Sequence, residues 1–277
     1  MIVFPNCKIN LGLYIVNKRT DGYHDLETVF YPVPLKDALE IIPLSAEKKG
    51  TIEFTQTGLV IEGDPNNNIC AKAYQLMQQH FPELPGLKIH LHKQIPMGAG
   101  LGGGSADGAL LLATVNNKFN LEIAAEQLSK MALELGSDCP FFLYNKPCLA
   151  FGRGERLAPL DFTLADYKLV LINPGIPIST AQAFKGVSPQ PNSLSLKEII
   201  MSPPTSWKNK LKNQFEETVF PQFPSLKDLK EELYQLGAVY ASMSGSGSTL
   251  YGIFEKTYSL PADFSSRHSF CREYLLP

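Results

Sequence analysis

Residues 87–117 read "LKIHLHKQIPMGAGLGGGSADGALLLATVNN", and this stretch decides the fold. Leu87, Ile89 and Leu91 alternate with polar partners, so a strand runs directly into a glycine-rich loop. Five of the seven residues from Gly98 to Gly104 are glycine, the residue that loses most backbone freedom on folding. After the loop, "ADGALLLATVNN" reads as a helix despite its lone Gly108. Strand, glycine loop and helix in that order suit a phosphate. Glycines let backbone N–H groups approach an anion, and Ser105 stands where an N-cap would open a helix whose positive dipole end faces the ligand. Taken alone, the loop also fits a glycine hinge with a capping serine.

The segments downstream separate the glycine chemistries. Gly98, Gly100 and Gly103 satisfy GxGxxG, but a dinucleotide fold then needs a second parallel strand ending in an acid about 20 residues on. Here "LEIAAEQLSKMALELG" follows, with Leu121, Ala125, Leu128, Ala132 and Leu135 at helical steps and Gly136 as C-terminal cap. Glu122 and Glu126 lie inside that second helix, so a nicotinamide or flavin site is disfavoured. No glycine precedes a Lys-Ser/Thr pair in Walker A register. The protein-kinase loop fails too, because Ser105 occupies its valine position and the chain has no HRD or DFG element.

The rest of the chain is that of a water-soluble protein with a small ligand. It has 277 residues, 44% hydrophobic and 19% charged, and a net charge of -2, a balance that argues against nucleic-acid or anionic-membrane partners. Cysteines at 7, 70, 139, 148 and 271 show no CxxC or zinc spacing, which fits a reduced cytoplasmic chain. The N-terminal "MIVFPNCKINLGLYIV" is interrupted by Lys8 and Asn10, so it reads as neither signal peptide nor membrane span. Ile9, Leu11, Leu13 and Ile15 alternate as a half-buried strand with Lys8, Asn10 and Gly12 on its other face. Asp21-Gly22 marks a tight turn into extended chain, and Asn68 caps a helix that Pro82 stops. His90 and His92 share one strand face without a third ligand, so they read as exposed strand residues rather than a metal site. Beyond residue 160 come "YKLVLINPGI", a Pro/Ser-rich stretch "SPQPNSLS", a helix opening at Ser225 and Asp228 and ending at Gly237, and a hairpin "AVYASMSGSGSTLYGIF". The expected domains are 1–160 and 161–277.

Three separated segments resemble the three motifs of the GHMP small-molecule kinases (galactose, homoserine, mevalonate and phosphomevalonate kinases). They are "PNCKINLGLYI", "PMGAGLGGGSADGALL" and "SMSGSGSTLYGIF", near the N-terminus, near residue 100 and near the C-terminus. The resemblance implies an α+β, two-domain fold: an N-terminal ribosomal protein S5 domain 2-like domain and a C-terminal ferredoxin-like domain. It also implies ATP as phosphoryl donor, with Mg²⁺ assisting. Within the family, "KINLGLYIVNKRTDGYHDLETVFYPV" and "LGSDCPFFLYNKPCLAFGRGERL" resemble members that phosphorylate the 2-hydroxyl of a cytidine diphosphate-linked methylerythritol in the nonmevalonate isoprenoid route. A kinase for another alcohol, such as mevalonate or homoserine, and a noncatalytic nucleotide-binding protein of the same fold stay open.

The resemblance carries roles onto particular positions. Pro96, Met97, Gly98, Ala99, Gly100, Leu101, Gly102, Gly103, Gly104, Ser105 and Ala106 form the expected nucleotide loop, although Ala106 stands where family members often carry a second serine. Asp107 reads as structural. Asp138, which precedes Pro140 and reads by itself as a helix cap, becomes the expected general base, and Lys8 the expected catalytic lysine. Asn10 is expected to hydrogen-bond substrate beside Lys8. Tyr23 is expected to stack on the cytosine and His24 to read its edge, with Phe184 closing the sandwich. Gly245 and Ser246 shape the substrate end. No residue is assigned as a direct metal ligand.

Overall fold

The alternation and capping signals of the sequence become strands and helices close to their expected places in a computed structural model that describes residues 1–61, 63–64, 67–190 and 194–276. In chain order the first half contains β1 (Ile2–Val3), β2 (Asn6–Lys18), β3 (His24–Lys36), β4 (Ala38–Pro43), β5 (Ile52–Gly58), α1 (Ile69–His80), β6 (Leu87–Lys93), α2 (Gly103–Lys118), α3 (Ala125–Leu135) and α4 (Cys139–Tyr144). The second contains β7 (Cys148–Gly152), β8 (Arg156–Pro159), β9 (Tyr167–Asn173), α5 (Thr180–Phe184), α6 (Leu196–Ile200), α7 (Glu216–Val219), α8 (Pro224–Gln235), β10 (Tyr240–Met243), β11 (Leu250–Glu255), α9 (Ala262–Ser266) and β12 (Phe270–Leu275). Residues 191–193 of the Pro/Ser-rich stretch lie outside the described residues. Among the described residues no helix is long and apolar enough to cross a membrane.

The chain packs as two units of interleaved segments rather than along one cut near residue 160. Residues 1–7, 35–97 and 102–145 form the first, and 8–34, 98–101 and 146–277 the second. The glycine loop is thus divided, with Gly98–Leu101 belonging to the second unit and both of its shoulders to the first.

In the first unit a sheet of order β1-β4-β6-β5 carries α1 to α4. β5 and β6 run parallel and are joined through α1, whose Asn68 side chain accepts a hydrogen bond from the Cys70 amide. Gly108 has a packing reason: a Cβ there would stand 2.8 Å from Ile69 of α1 and 3.4 Å from Leu135 of α3. α3 begins at Ala125 rather than at Leu121, because Asn120 and Glu122 take positive φ and turn the chain between the helices.

The second unit contains two sheets, β2-β3-β7-β8 and β10-β11-β9-β12. In the latter every pairing is antiparallel, and chain order β9-α8-β10-β11-α9-β12 is the βαββαβ pattern of a ferredoxin-like domain. Leu226, Leu229 and Leu233 of α8 pack with Val170, Ile172, Ala241 and Phe254 in its core. α8 opens one residue before the expected Ser225, at Pro224, whose fixed φ suits a first helical turn.

β2 departs from expectation. It is buried on both faces from Asn6 to Ile15 instead of half-exposed. Gly12 explains part of this, since a Cβ there would stand 2.5 Å from Leu211 Cδ1, so chain packs directly onto the face that alternation assigned to solvent. Lys8 is only 3% exposed and Asn10 2%. A lysine so buried requires a specific purpose, because its charge loses hydration.

Candidate active site

In the second unit, elements far apart in sequence converge on the start of β2. The Lys8 ammonium donates to Asn10 Oδ1 at 2.6 Å and lies 4.7 Å from the centroid of the Phe30 ring. Asn10 Nδ2 donates to Thr28 Oγ1 at 3.0 Å, and the Thr28 hydroxyl donates to the Gly12 carbonyl. This chain orients the Asn10 amide and with it the lysine. On the backbone side, Asn10 N donates to Ser244 Oγ at 3.3 Å, and the Tyr251 hydroxyl donates to Asn10 O at 2.8 Å.

The middle of the glycine loop joins the same cluster. Lys8 N donates to Leu101 O at 3.0 Å, Ser244 Oγ to Gly100 O at 2.8 Å, and Thr249 N to Ala99 O at 3.3 Å. Gly100 has φ +76, and a Cβ there would stand 1.9 Å from Ser244 O, so no other residue fits. Gly245 packs against it. Asn213 Nδ2 donates to Met243 O at 2.7 Å and to Gly245 O at 2.8 Å, which holds the hairpin turn around Gly245 and Ser246. Asn213, Thr28 and Ser244 were not singled out in the sequence. None has a distinctive local pattern, and only the pairings across the unit reveal them.

The turn after β2 is organised by charge. Arg19 pairs with Asp21 at 2.9 Å and Asp25 at 3.2 Å, and Tyr23 N donates to Asp21 Oδ1 at 3.1 Å. Hydrogen bonds from Arg19 and the Tyr23 amide hold the Asp21 carboxyl below its usual range. His24 stacks on Phe184, with centroids 4.7 Å apart and planes at 16°, and Phe184 meets Phe215 edge-on at 4.8 Å. Tyr23 instead carries the Arg153 guanidinium 4.0 Å from its ring centroid. The structure therefore brings His24 and Phe184 together directly, while the 51% exposed Tyr23 is paired with an arginine that the sequence reading did not name.

The first unit holds the loop's shoulders and Asp138. α2 starts inside the glycines: its N-cap is Gly102 at φ +69, and Ser105 lies in the first turn rather than at the expected cap. Glycine wins the cap because that conformation is left-handed, which a serine adopts only with strain. At the start of α4 the buried Cys139 thiol has its pKa pushed up to about 12, chiefly by burial, with the Ser105 hydroxyl pulling it down. The start of α4 therefore lies beside the start of α2. Asp138 occupies the N-cap position of α4, but its side chain makes no capping hydrogen bond. Its carboxylate is not used in the role that the sequence assigned to it by default.

Behind the loop, Lys93 Nζ donates to Asp37 Oδ2 at 2.5 Å and to Asp107 Oδ2 at 2.8 Å, with all three side chains essentially inaccessible. Burial works against the lysine's charge, but the two carboxyls outweigh it and raise its pKa. The Asp107 carboxyl is pushed from 3.8 up to about 7, chiefly by burial, with Lys93 pulling down and Asp37 pushing up. The folded protein thus retains a proton that the unfolded chain releases. Asp107 accordingly favours folding most below about pH 4, and that contribution is lost as pH rises toward about 7. Asp107→Asn lacks the titration, so melting curves are expected to show a smaller fall in Tm from about pH 4 to about pH 8 than wild type. An unchanged wild-type slope in the variant contradicts this assignment. His90 and His92 are partly exposed and engaged with Thr55 and Thr57, in keeping with strand roles.

A ferredoxin-like sheet, a glycine loop opening a helix, and a buried lysine tied to that loop define the class: an α+β small-molecule kinase scaffold. The model of the GHMP kinases N terminal domain matches residues 68–146 and that of the GHMP kinases C terminal matches 203–263. The chain is 53% identical over 254 residues to a 4-diphosphocytidyl-2-C-methyl-D-erythritol kinase of Bacteroides fragilis, covering 92% of each. It is 47% identical over 273 residues to that of Azobacteroides pseudotrichonymphae, covering 98% of this chain and 100% of the relative. A crystal structure of 4-(cytidine 5'-diphospho)-2C-methyl-D-erythritol kinase aligns with TM-score 0.80 at 30% identity, over 99% of this chain and 97% of that one. The Methanococcus jannaschii mevalonate kinase shares the fold, with TM-score 0.71 at 14% identity over 99% and 96% of the two chains. The chain belongs to the GHMP kinase family and, within it, to the 4-diphosphocytidyl-2-C-methyl-D-erythritol kinases.

Proposed function

We propose that the protein transfers the γ-phosphoryl group of ATP to the 2-hydroxyl of 4-diphosphocytidyl-2-C-methyl-D-erythritol in the cytoplasm. The observation that carries this reading is the meeting, within one unit, of Lys8 and Asn10 with Gly98–Leu101 and with the Ser244–Thr249 turn. The alternating strand, glycine loop and distal hairpin are thereby one assembly. The family matches, at 68–146 and 203–263, fall on either side of residue 160, so 1–160 and 161–277 serve as sequence modules of the family, distinct from the interleaved packing units.

Phosphoryl transfer requires chiefly positioning and charge stabilisation. Pro96 to Ala106 would receive the ATP phosphates on backbone N–H groups. A Cβ on Gly98 would meet nothing within 4 Å and one on Gly104 only Met97 Cε at 3.7 Å, so both leave room for a phosphate. Asp138 would take the proton of the attacking hydroxyl, and the Lys8 ammonium would stabilise the developing alkoxide. Asn10 holds Lys8 and hydrogen-bonds the acceptor, with Gly245 and Ser246 shaping that end. Magnesium would arrive with the nucleotide and offset phosphate charge. Among the described residues no group of three or more His, Cys, Asp or Glu is placed to hold a metal, so no step is assigned to a protein-bound ion.

Tyr23, His24 and Phe184 would select the cytosine through stacking and edge recognition. Base–aromatic stacking is worth about 1–3 kcal/mol, so Tyr23→Ala is expected to raise the KM for the cytidylated substrate roughly tenfold while sparing that for ATP. Equal rises in both constants sink the assignment. The overall reading is tested by ADP release from ATP across cytidylated methylerythritol, mevalonate, homoserine and galactose. Release with the first supports it, release with mevalonate alone moves the substrate, and release with none removes the kinase reading.

A further inference from the structure

The Asp37–Lys93–Asp107 cluster lies outside the chemistry just described, yet each member is attached to a different part of the glycine loop's frame. Lys93 is the last residue of β6, immediately before the loop. Asp37, between β3 and β4, accepts from the Gln94 amide at 2.6 Å and the Ile95 amide at 2.9 Å with Oδ1, while Oδ2 receives the lysine. Asp107 sits in the second turn of α2, immediately after the loop. One ammonium thus ties the strand that enters the loop to the helix that leaves it. The fit is close, because a Cβ on Gly103 would stand 2.6 Å from Ile95 Cγ2 and 3.1 Å from Lys93 Nζ.

We propose that this buried cluster is a positioning device that sets the two shoulders of the glycine loop, and the N-terminus of α2, in the geometry that binds nucleotide phosphates before the nucleotide arrives. Stability alone is a poor explanation for it. A buried ion pair typically does no better than well-packed apolar groups of similar volume, because desolvation offsets the Coulombic attraction. A second carboxylate worsens that balance. Asp107 Oδ1 is buried without a hydrogen-bond partner, and burial, with the Asp107 charge adding to it, raises the pKa of the Cys70 thiol of α1 well above the ordinary thiol value. The arrangement does supply direction. Asp37 fixes two consecutive amides at the loop entrance, and the lysine sets their distance from the first turns of α2. Misplacement of reacting groups by about 1 Å costs about a hundredfold in rate, so a rigid frame at this position has a functional return.

The inference rests on the reading that the loop takes ATP, and the test separates the two. A triple variant, Asp37→Asn with Lys93→Met and Asp107→Leu, removes all three charges together, so no buried charge is left unpaired, and keeps a side-chain oxygen at position 37 to accept the Gln94 and Ile95 amides. It is expected to fold, with the KM for ATP raised about tenfold or more and the KM for the alcohol changed less than about twofold. Direct titration with a non-hydrolysable ATP analogue reads the same loss without turnover. Equal analogue affinity in wild type and variant overturns the positioning role and leaves the kinase reading intact. No binding by wild type overturns both. Should the triple variant not fold, amide exchange of the wild-type protein decides. The Gln94, Ile95 and Ala106 amides are expected to be protected without nucleotide and unchanged by the analogue. Protection that appears only with the analogue overturns the proposal.

Discussion

Asp138→Asn is expected to lower turnover about 10²- to 10⁴-fold, the usual worth of a positioned general base. Asparagine has the same size and is an equally good N-cap residue, so α4 should be undisturbed. The Asp138 side chain makes no capping bond in any case, so the substitution removes basicity without the loss of a cap. Melting temperature and affinity for an ATP analogue should therefore stay near wild type while kcat falls. Steady-state kinetics at saturating ATP checks this, and near-normal turnover in the variant removes Asp138 from the catalytic role.

Lys8→Ala is expected to lower turnover by about 10² to 10³, as loss of a donor to developing negative charge does in preorganised sites. Lys8 is 3% exposed and donates to Asn10 Oδ1 at 2.6 Å. Truncation leaves that buried oxygen without its donor, at a cost to stability of about 1–3 kcal/mol. A fall in Tm is accordingly part of the expectation, and assays belong well below the variant's midpoint. Lys8→Met retains most of the volume over the Phe30 ring and separates packing from charge. If Lys8→Met recovers wild-type turnover, the ammonium has no catalytic part.

Several features were legible from local pattern. Apolar positions at every second residue from Leu87 to Leu91 produced β6, and the glycine run opened a helix as expected. The two successive helices after the loop excluded a dinucleotide fold without any tertiary information. Asn68 capped α1 as its side chain and position required. Other signals misled for identifiable reasons. Alternation in β2 predicted one wet face, but alternation records side-chain direction and says nothing of what packs there; Leu211 and Ser244 arrive from about 200 residues away. Ser105 had the right chemistry for a cap, but Gly102 tolerates the left-handed conformation that the helix start demands.

What the residues settled without the fold was thus the kind of local structure and the family. The local structure depends on periodicity, capping and backbone freedom within a few neighbours, and the family on the resemblance of three separated motifs. The fold decided which polar groups meet. Lys8 reaches Asn10 and Gly245 packs on Gly100 within one unit, Lys93 joins Asp37 to Asp107 in the other, and Arg153 lies over Tyr23. These pairings follow from burial: a charge removed from water must find a partner inside, and that partner is set by how sheets and helices pack rather than by separation along the chain.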